Sequence, residues 1–426
     1  MLNFLTVIVA ALATLGTVAP APAPAPVAAA SINARHYANQ TPYGDAESSS
    51  IKSPPAGYTL AFLETVGRHG ARTLTSSAAE RRSLKVWADA KNDDALTSTG
   101  RSFAADVAAF QKPEQKIGYG NLSAIGTAEW EGIGRRTADN YGGFLQRSTK
   151  AGDQVVFKTS PILRTEQSAK AMEMSLKSAV PALDVAPYVT DAVRLLIGNG
   201  ASAAGNAAVD RIIASPGVIG ASRHLLTRLY TQQYVDGLDD PVMAALDVYL
   251  LYCTAPGMQG DTDVTFARYV SLADAKAMEY VVDAQNFYHF GPGVEGETSS
   301  YQASKPLLDD FFAELDKRLS GGSTAAVFRL AHGETTMPFA ALLRLPGSSQ
   351  QVPGAGVFTY DDNPWRGYVA GRLGGNIEWA AYRNASRDVV VTMRYNEQPV
   401  KFNSSCTAMS PGSYFYRVSE LRSCLT

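Results

Sequence analysis

Three short runs, "YTLAFLETV" (58–66), "DQVVFKTS" (153–160) and "TAAVFRLAH" (324–332), are rich in β-branched and aromatic residues, and helical patterning follows each of them. Runs of this kind read as strands. Strands separated by helices pair in parallel, through crossovers that lay the helices on the faces of the sheet. Two further runs, "GGNIEWAAYR" (374–383) and "RDVVVTMRY" (387–395), add strands near the C-terminus. The expectation is an α/β fold whose core, residues 31–170 and 321–426, is interrupted by a mainly helical insert over 171–320. Helices are predicted over "SSAAERRSLKVWADAKN" (76–92), over most of 122–149, and from about Thr165, after a loop that Pro161 opens.

In open α/β sheets, ligands sit at the C-terminal ends of the strands. The first strand ends in "TVGRHGART" (65–73), which supplies Arg68, His69 and Arg72; Arg164 follows the second, and the third ends in His332, with Glu334 two residues on. Two guanidiniums beside an imidazole repel any positive charge on it, so the arrangement makes sense around an anion. Arginine's planar fork grips phosphate oxygens through paired, charge-assisted hydrogen bonds. Three arginines can surround the three non-bridging oxygens of a phosphate monoester and hold them as charge spreads in the transition state. His69, kept neutral by its cationic neighbours, is a competent nucleophile. Glu334 is the candidate proton donor to the leaving alkoxide and base for the hydrolytic water, and His332 can donate a hydrogen bond to a phosphate oxygen. No His/Cys cluster has zinc spacing and no carboxylate cluster suggests another metal, so neither a metal nor a cofactor is expected.

The remaining features bound the setting. A net charge of −2 gives no bulk reason for a nucleic-acid or membrane partner. "LTVIVAALATLGTVA" (5–19) followed by "PAPAPAPVAAA" (20–30) reads as a signal peptide over residues 1–30, which predicts a secreted or periplasmic protein with no membrane attachment after cleavage. Cys406 and Cys424 stand close enough in sequence to close a loop in an oxidising compartment, and Cys253 reads as a buried free thiol. The run "ERRSLK" (80–85) is a solvated helix face, or a basic rim if the substrate carries several phosphates.

"RHGAR" (68–72) resembles the R-H-G-x-R signature of the histidine acid phosphatases, the branch-2 histidine phosphatases. "AHGETTMPFAALL" (331–343) is similar to the His-Ala-Glu-Thr form of their multiple inositol polyphosphate phosphatase subfamily, which includes phytases. "TPYGD" (41–45), "LSAIGTAEWEGIGRR" (122–136) and "TSPILRTEQSA" (159–169) resemble further blocks of that subfamily. The resemblance implies a phosphoglycerate-mutase-like three-layer α/β/α core with an inserted helical domain, and a phosphohistidine intermediate. It gives His69 as nucleophile, Arg68, Arg72, Arg164 and His332 as phosphate ligands, and Glu334 as proton donor. Inositol polyphosphates such as phytate are the implied substrates; a broad acid phosphatase or sugar-phosphatase is the alternative, and a non-catalytic phosphate-binding protein a weaker one. Gly333 departs from the subfamily's alanine, which should loosen that turn. Thr73 and Leu74 depart from its usual pair after the signature, which would alter contacts at the rim.

Overall fold

The computed structural model of the chain describes residues 34–44, 51–354 and 356–425. The signal-peptide reading, 1–30, and Asp45 of the "TPYGD" block lie outside the described residues. All five predicted strands form, as β1 (Thr59–Arg68), β2 (Gln154–Thr159), β4 (Thr324–Ala331), β5 (Asn376–Arg383) and β6 (Val389–Tyr395). Three short strands join them: β3 (Val189–Thr190), β7 (Gln398–Val400) and β8 (Tyr416–Arg417). The sheet runs β3-β2-β4-β1-β5-β6-β7, with β8 on β6. The first four strands in that order are mutually parallel, and β5 onward is antiparallel. Arg68 lies in register with Ala331, and Thr159 with Leu330, so the three motif-bearing ends share one edge of the sheet.

Alternate residues of the central strands bury opposite faces, as a two-sided sheet requires. Leu63, Val155, Phe157 and Phe328 pack against α3 (Ala124–Lys150) and α4 (Leu163–Ala179) through Trp130, Tyr141, Leu145 and Met172. Phe62, Val66, Val327 and Trp379 pack against α8 (Lys305–Leu319) and α9 (Gly333–Leu342) through Phe311, Leu315 and Phe339. This is the expected three-layer α/β/α core. Ser123 caps α3 by accepting from the Gly126 amide, which fixes where the helix starts.

A separate apolar cluster joins α1 (Ala78–Asn92) and α2 (Phe103–Ile117) to α5 (Pro216–Leu226), α6 (Pro241–Thr254) and α7 (Leu272–Phe290). The helices that follow β1 therefore pack with those between β3 and β4. Among the described residues, no helix is long and apolar enough to cross a membrane. Cys406 and Cys424 are joined in a disulfide with Cα atoms 5.2 Å apart, and Cys253 is buried and free.

Candidate active site

The loop after β1 is fixed by backbone contacts before any charged group acts. His69 donates its amide to Ala331 O on β4 at 2.9 Å, and Gly374 donates to His69 O at 3.1 Å. Trp130 Nε1 donates to Arg68 O at 3.2 Å, and the Gly70 amide to Ser168 Oγ at 3.2 Å. Glu129, on the same helix as Trp130, accepts the Ala71 amide on one carboxylate oxygen and the Tyr43 amide on the other, each at 2.6 Å. Glu129, Trp130, Ser168 and Tyr43 thus place the motif. Their contacts span 58 to 98 residues of sequence, and only their presence in the quoted blocks hinted at them.

All six predicted site residues meet at this sheet edge. His69 is buried, and its Nδ1 lies 2.8 Å from Gly70 O. A carbonyl only accepts, so Nδ1 carries the proton and Nε2 keeps its lone pair. The imidazole is held well below its ordinary pKa, first by burial and then by Arg68, Arg164 and Arg72. The sequence pointed to the arginines; burial contributes more. The His332 ring stands 5.4 Å from that of His69, centroid to centroid. Its Nδ1 accepts from Arg164 Nη2 at 3.2 Å, and its Nε2 meets Ser160 Oγ at 2.8 Å. Glu334, in the first turn of α9, is exposed. Partial withdrawal from water raises its carboxyl pKa, but Arg68, a backbone amide, His332 and Arg72 outweigh that and hold it below the usual carboxylate value. The free site therefore holds Glu334 ionised, and a bound dianion must supply the upward push that lets it carry a proton.

The arginines separate this site from the rest of the interior. Arg136, Arg329 and Arg394 are buried and each pairs with carboxylates. Arg68, Arg72 and Arg164 have no carboxylate within salt-bridge distance among the described residues, and the Nε of each is buried with no acceptor. Arg68 Nη1 donates to the carbonyls of Asn39 and Gly371, which aims the rest of its guanidinium at the site. Burial and mutual repulsion lower Arg68 to about 10 and Arg72 to about 9, so both stay cationic at neutral pH. Three largely desolvated guanidiniums with no carboxylate in salt-bridge contact, and with Glu334 as the counter-charge common to all three, are costly unless an anion completes them.

Two expectations change. Thr73 and Leu74 are buried, not at a rim: Thr73 Oγ1 donates to Gly118 O at 2.9 Å, and the Leu74 amide to Glu114 at 2.7 Å. Gly333 does more than relax a turn, because a Cβ there would lie 3.3 Å from Arg68 Nε. In the 80–85 run, Arg82 is neutralised by buried Asp247 and Lys85 pairs with Asp89.

A histidine and three arginines at the ends of parallel strands on an α/β core are the arrangement expected of a phosphomonoester hydrolase of the histidine phosphatase kind. Residues 59–180 match the histidine phosphatase superfamily (branch 2), the branch that the motifs implied. Its structure is similar to the multiple inositol polyphosphate phosphatase of Bifidobacterium longum, solved in complex with inositol hexasulfate: 27% identity, a TM-score of 0.87, and coverage of 92% of this chain and 97% of that one. Two phytases share the fold: that of D. castellii (13% identity, TM-score 0.63, coverage 92% and 84%) and that of Hafnia alvei (14%, 0.53, 87% and 97%). Comparison with curated proteins gives no match.

Proposed function

We propose that the chain hydrolyses inositol polyphosphates through a phosphohistidine on His69. Nε2 of His69 attacks phosphorus, and the phosphorus–oxygen bond to the alcohol breaks as Glu334 gives that oxygen a proton. Water, deprotonated by Glu334, then releases phosphate from the histidine. Arg68, Arg72, Arg164 and His332 hold the non-bridging oxygens throughout. The observation that carries this reading is the set of three buried arginine Nε groups without acceptors, gathered around an imidazole whose Nε2 lone pair is free. Similarity along nearly the whole of an inositol polyphosphate phosphatase supports the substrate class. Export through a leader within 1–30, to the periplasm or the medium, belongs to the same proposal and is supported by the Cys406–Cys424 bridge. So does the division by sequence into a core (31–170 and 321–426) and a helical insert (171–320), although α8 packs on the core sheet and α1 and α2 pack with the insert's helices. A broad acid phosphatase with the same chemistry is the second reading, favoured by the neutralisation of Arg82 and Lys85, which removes charge that a polyphosphate rim would use.

The test is phosphate release at about pH 5 with chelator present, comparing phytate with an aryl phosphate and wild type with His69→Ala. Fast release from phytate that the variant loses supports the proposal. Release from the aryl ester alone moves the substrate to the second reading, and no release from either overturns the hydrolase mechanism.

A further inference from the structure

His332 makes two hydrogen bonds in the free site, and together they fix its tautomer. Arg164 Nη2 is an obligate donor, so Nδ1 of His332 must accept and carries a lone pair. The remaining proton is then on Nε2, directed at Ser160 Oγ. That hydroxyl is fully committed. Its Oγ also accepts the Ile162 amide at 3.2 Å, so its own proton goes to Thr165 Oγ1 at 3.1 Å, and Thr165 donates in turn to the Ile162 carbonyl at 2.8 Å. Ser160 and Thr165 are both buried, which keeps bulk solvent from competing for these hydrogen bonds. The chain of donors therefore runs one way, from Arg164 through His332, Ser160 and Thr165 to a backbone carbonyl.

We propose that Ser160 is a positioning residue that locks His332 in the Nε2–H form, so that His332 engages the phosphate only after gaining a second proton, on Nδ1. The proposal rests on the phosphate site described above. In the free site Nδ1 has no proton to give to an oxygen anion. When a dianion enters, Arg164 Nη2 swings from Nδ1 to a phosphate oxygen, Nδ1 takes a proton from solvent, and the new N–H donates to a second oxygen. Ser160 accepts from the imidazolium's Nε2–H on the other side, which leaves neither nitrogen unpaired.

The charges around His332 act in the direction this needs. Burial, then Arg164, lower its pKa in the free site to about 4, with Arg68 and Arg72 adding to the effect and Glu334 opposing it; His69, the remaining titratable neighbour, is neutral. An arriving dianion offsets the arginines, so occupation of the site raises the His332 pKa and binding takes up a proton at mildly acid pH.

The test uses the full chain with 15N-labelled histidine and inorganic sulfate, which stays a dianion at about pH 5.5 and contributes no titration of its own. Ring 15N shifts distinguish the two neutral tautomers from imidazolium. The five histidines are assigned by single substitution. Without sulfate, His332 is expected as the Nε2–H tautomer; with sulfate, it becomes imidazolium. In Ser160→Ala the occupied form stays neutral, and kcat/KM falls about tenfold with its optimum moved to more acid pH. Ser160→Thr keeps the hydroxyl and regains the wild-type pH profile. A neutral His332 in sulfate-saturated wild type, or an unaltered pH profile in Ser160→Ala, overturns the proposal while leaving the phosphatase reading intact. Failure of sulfate to bind, together with no turnover by wild type, removes the phosphate site and with it this inference.

Discussion

Gly70 and Gly126 face each other where the loop after β1 crosses the first turn of α3. A Cβ on Gly70 would fall within the carbonyl oxygen of Gly126, and a Cβ on Gly126 within that of Ala71. Neither glycine has a positive φ, so the requirement is for space, not for an unusual conformation. The close approach sets how far His69 and the arginines reach past the end of the sheet. Gly126→Ala removes no charge and no hydrogen-bonding side chain, yet it should push the loop aside. A displacement of about 1 Å costs on the order of 100-fold in rate at a site that works by placement. We expect kcat/KM for phosphate release to fall at least that far, while far-ultraviolet circular dichroism stays that of the wild type. Gly217→Ala, on α5 with nothing within 4 Å, is the control and should change neither. Equal activity in the two variants would show that the contact does not set the site.

At the scale of elements, the N-terminal strap 35–43 links the two packing regions. Its carbonyls at Arg35 and His36 accept from Tyr252 and Tyr249 on α6, while its amide at Ala38 donates to Glu279 on α7. Further along, Asn39 O receives Arg68 and Tyr43 N reaches Glu129 on α3. Glu129 is therefore one carboxylate with two obligate donors, one to each oxygen. Glu129→Gln keeps the shape but turns one acceptor into an amide N–H facing another N–H. The cost should be about 1.5–3 kcal/mol, the range for a charged hydrogen bond, seen as a lower midpoint in urea and a fall of at least about tenfold in kcat/KM. An unchanged midpoint would mean that Glu129 does not couple the strap to the motif loop. None of this coupling is legible in sequence, since Tyr43 and Glu129 lie 86 residues apart with no periodicity between them. The five long strands are legible because their buried runs are long enough to show a pattern. The two-residue β3 and β8 carry none and exist only through their neighbours. The site residues are readable for a different reason: each sits at the end of a legible strand, within four residues past one, or in the first turn of a legible helix. Ser160 is not legible as a positioning residue, because a serine before a proline reads as ordinary loop chemistry.

Across the whole molecule, two sets of buried groups impose opposite pH dependences on stability. His69 and His332 have lowered pKa values in the folded chain, so unfolding takes up protons below the ordinary histidine value. Stability from these two groups is lost as pH falls from about 6.5 towards the folded values. Glu114 works the other way. Burial, and then a hydrogen bond with Glu80, raise its pKa well above the usual carboxylate range, with the Leu74 amide and Arg72 pulling it partly back. Tyr119 donates to Glu80 at 2.5 Å, and Glu80 Oε1 and Glu114 Oε2 are buried without another partner, so a proton on Glu114 would be the donor that joins the two carboxyls. An acid with a raised folded pKa binds its proton more tightly when folded. Its contribution is full below about pH 4.3, where the unfolded chain is also protonated, and declines as pH rises towards the folded value. Glu114→Gln keeps the acceptor for the Leu74 amide, supplies an N–H to Glu80, and removes the titration. We expect the variant to melt about 2–4 °C above wild type at pH 8, the shift that roughly 1 kcal/mol produces in a chain of this size. That advantage should vanish by about pH 4, where the carboxyl of wild-type Glu114 is protonated in the unfolded chain as well. A difference in melting temperature that is the same at both pH values would show that the pair is held by packing alone and that no proton is shared between the carboxyls.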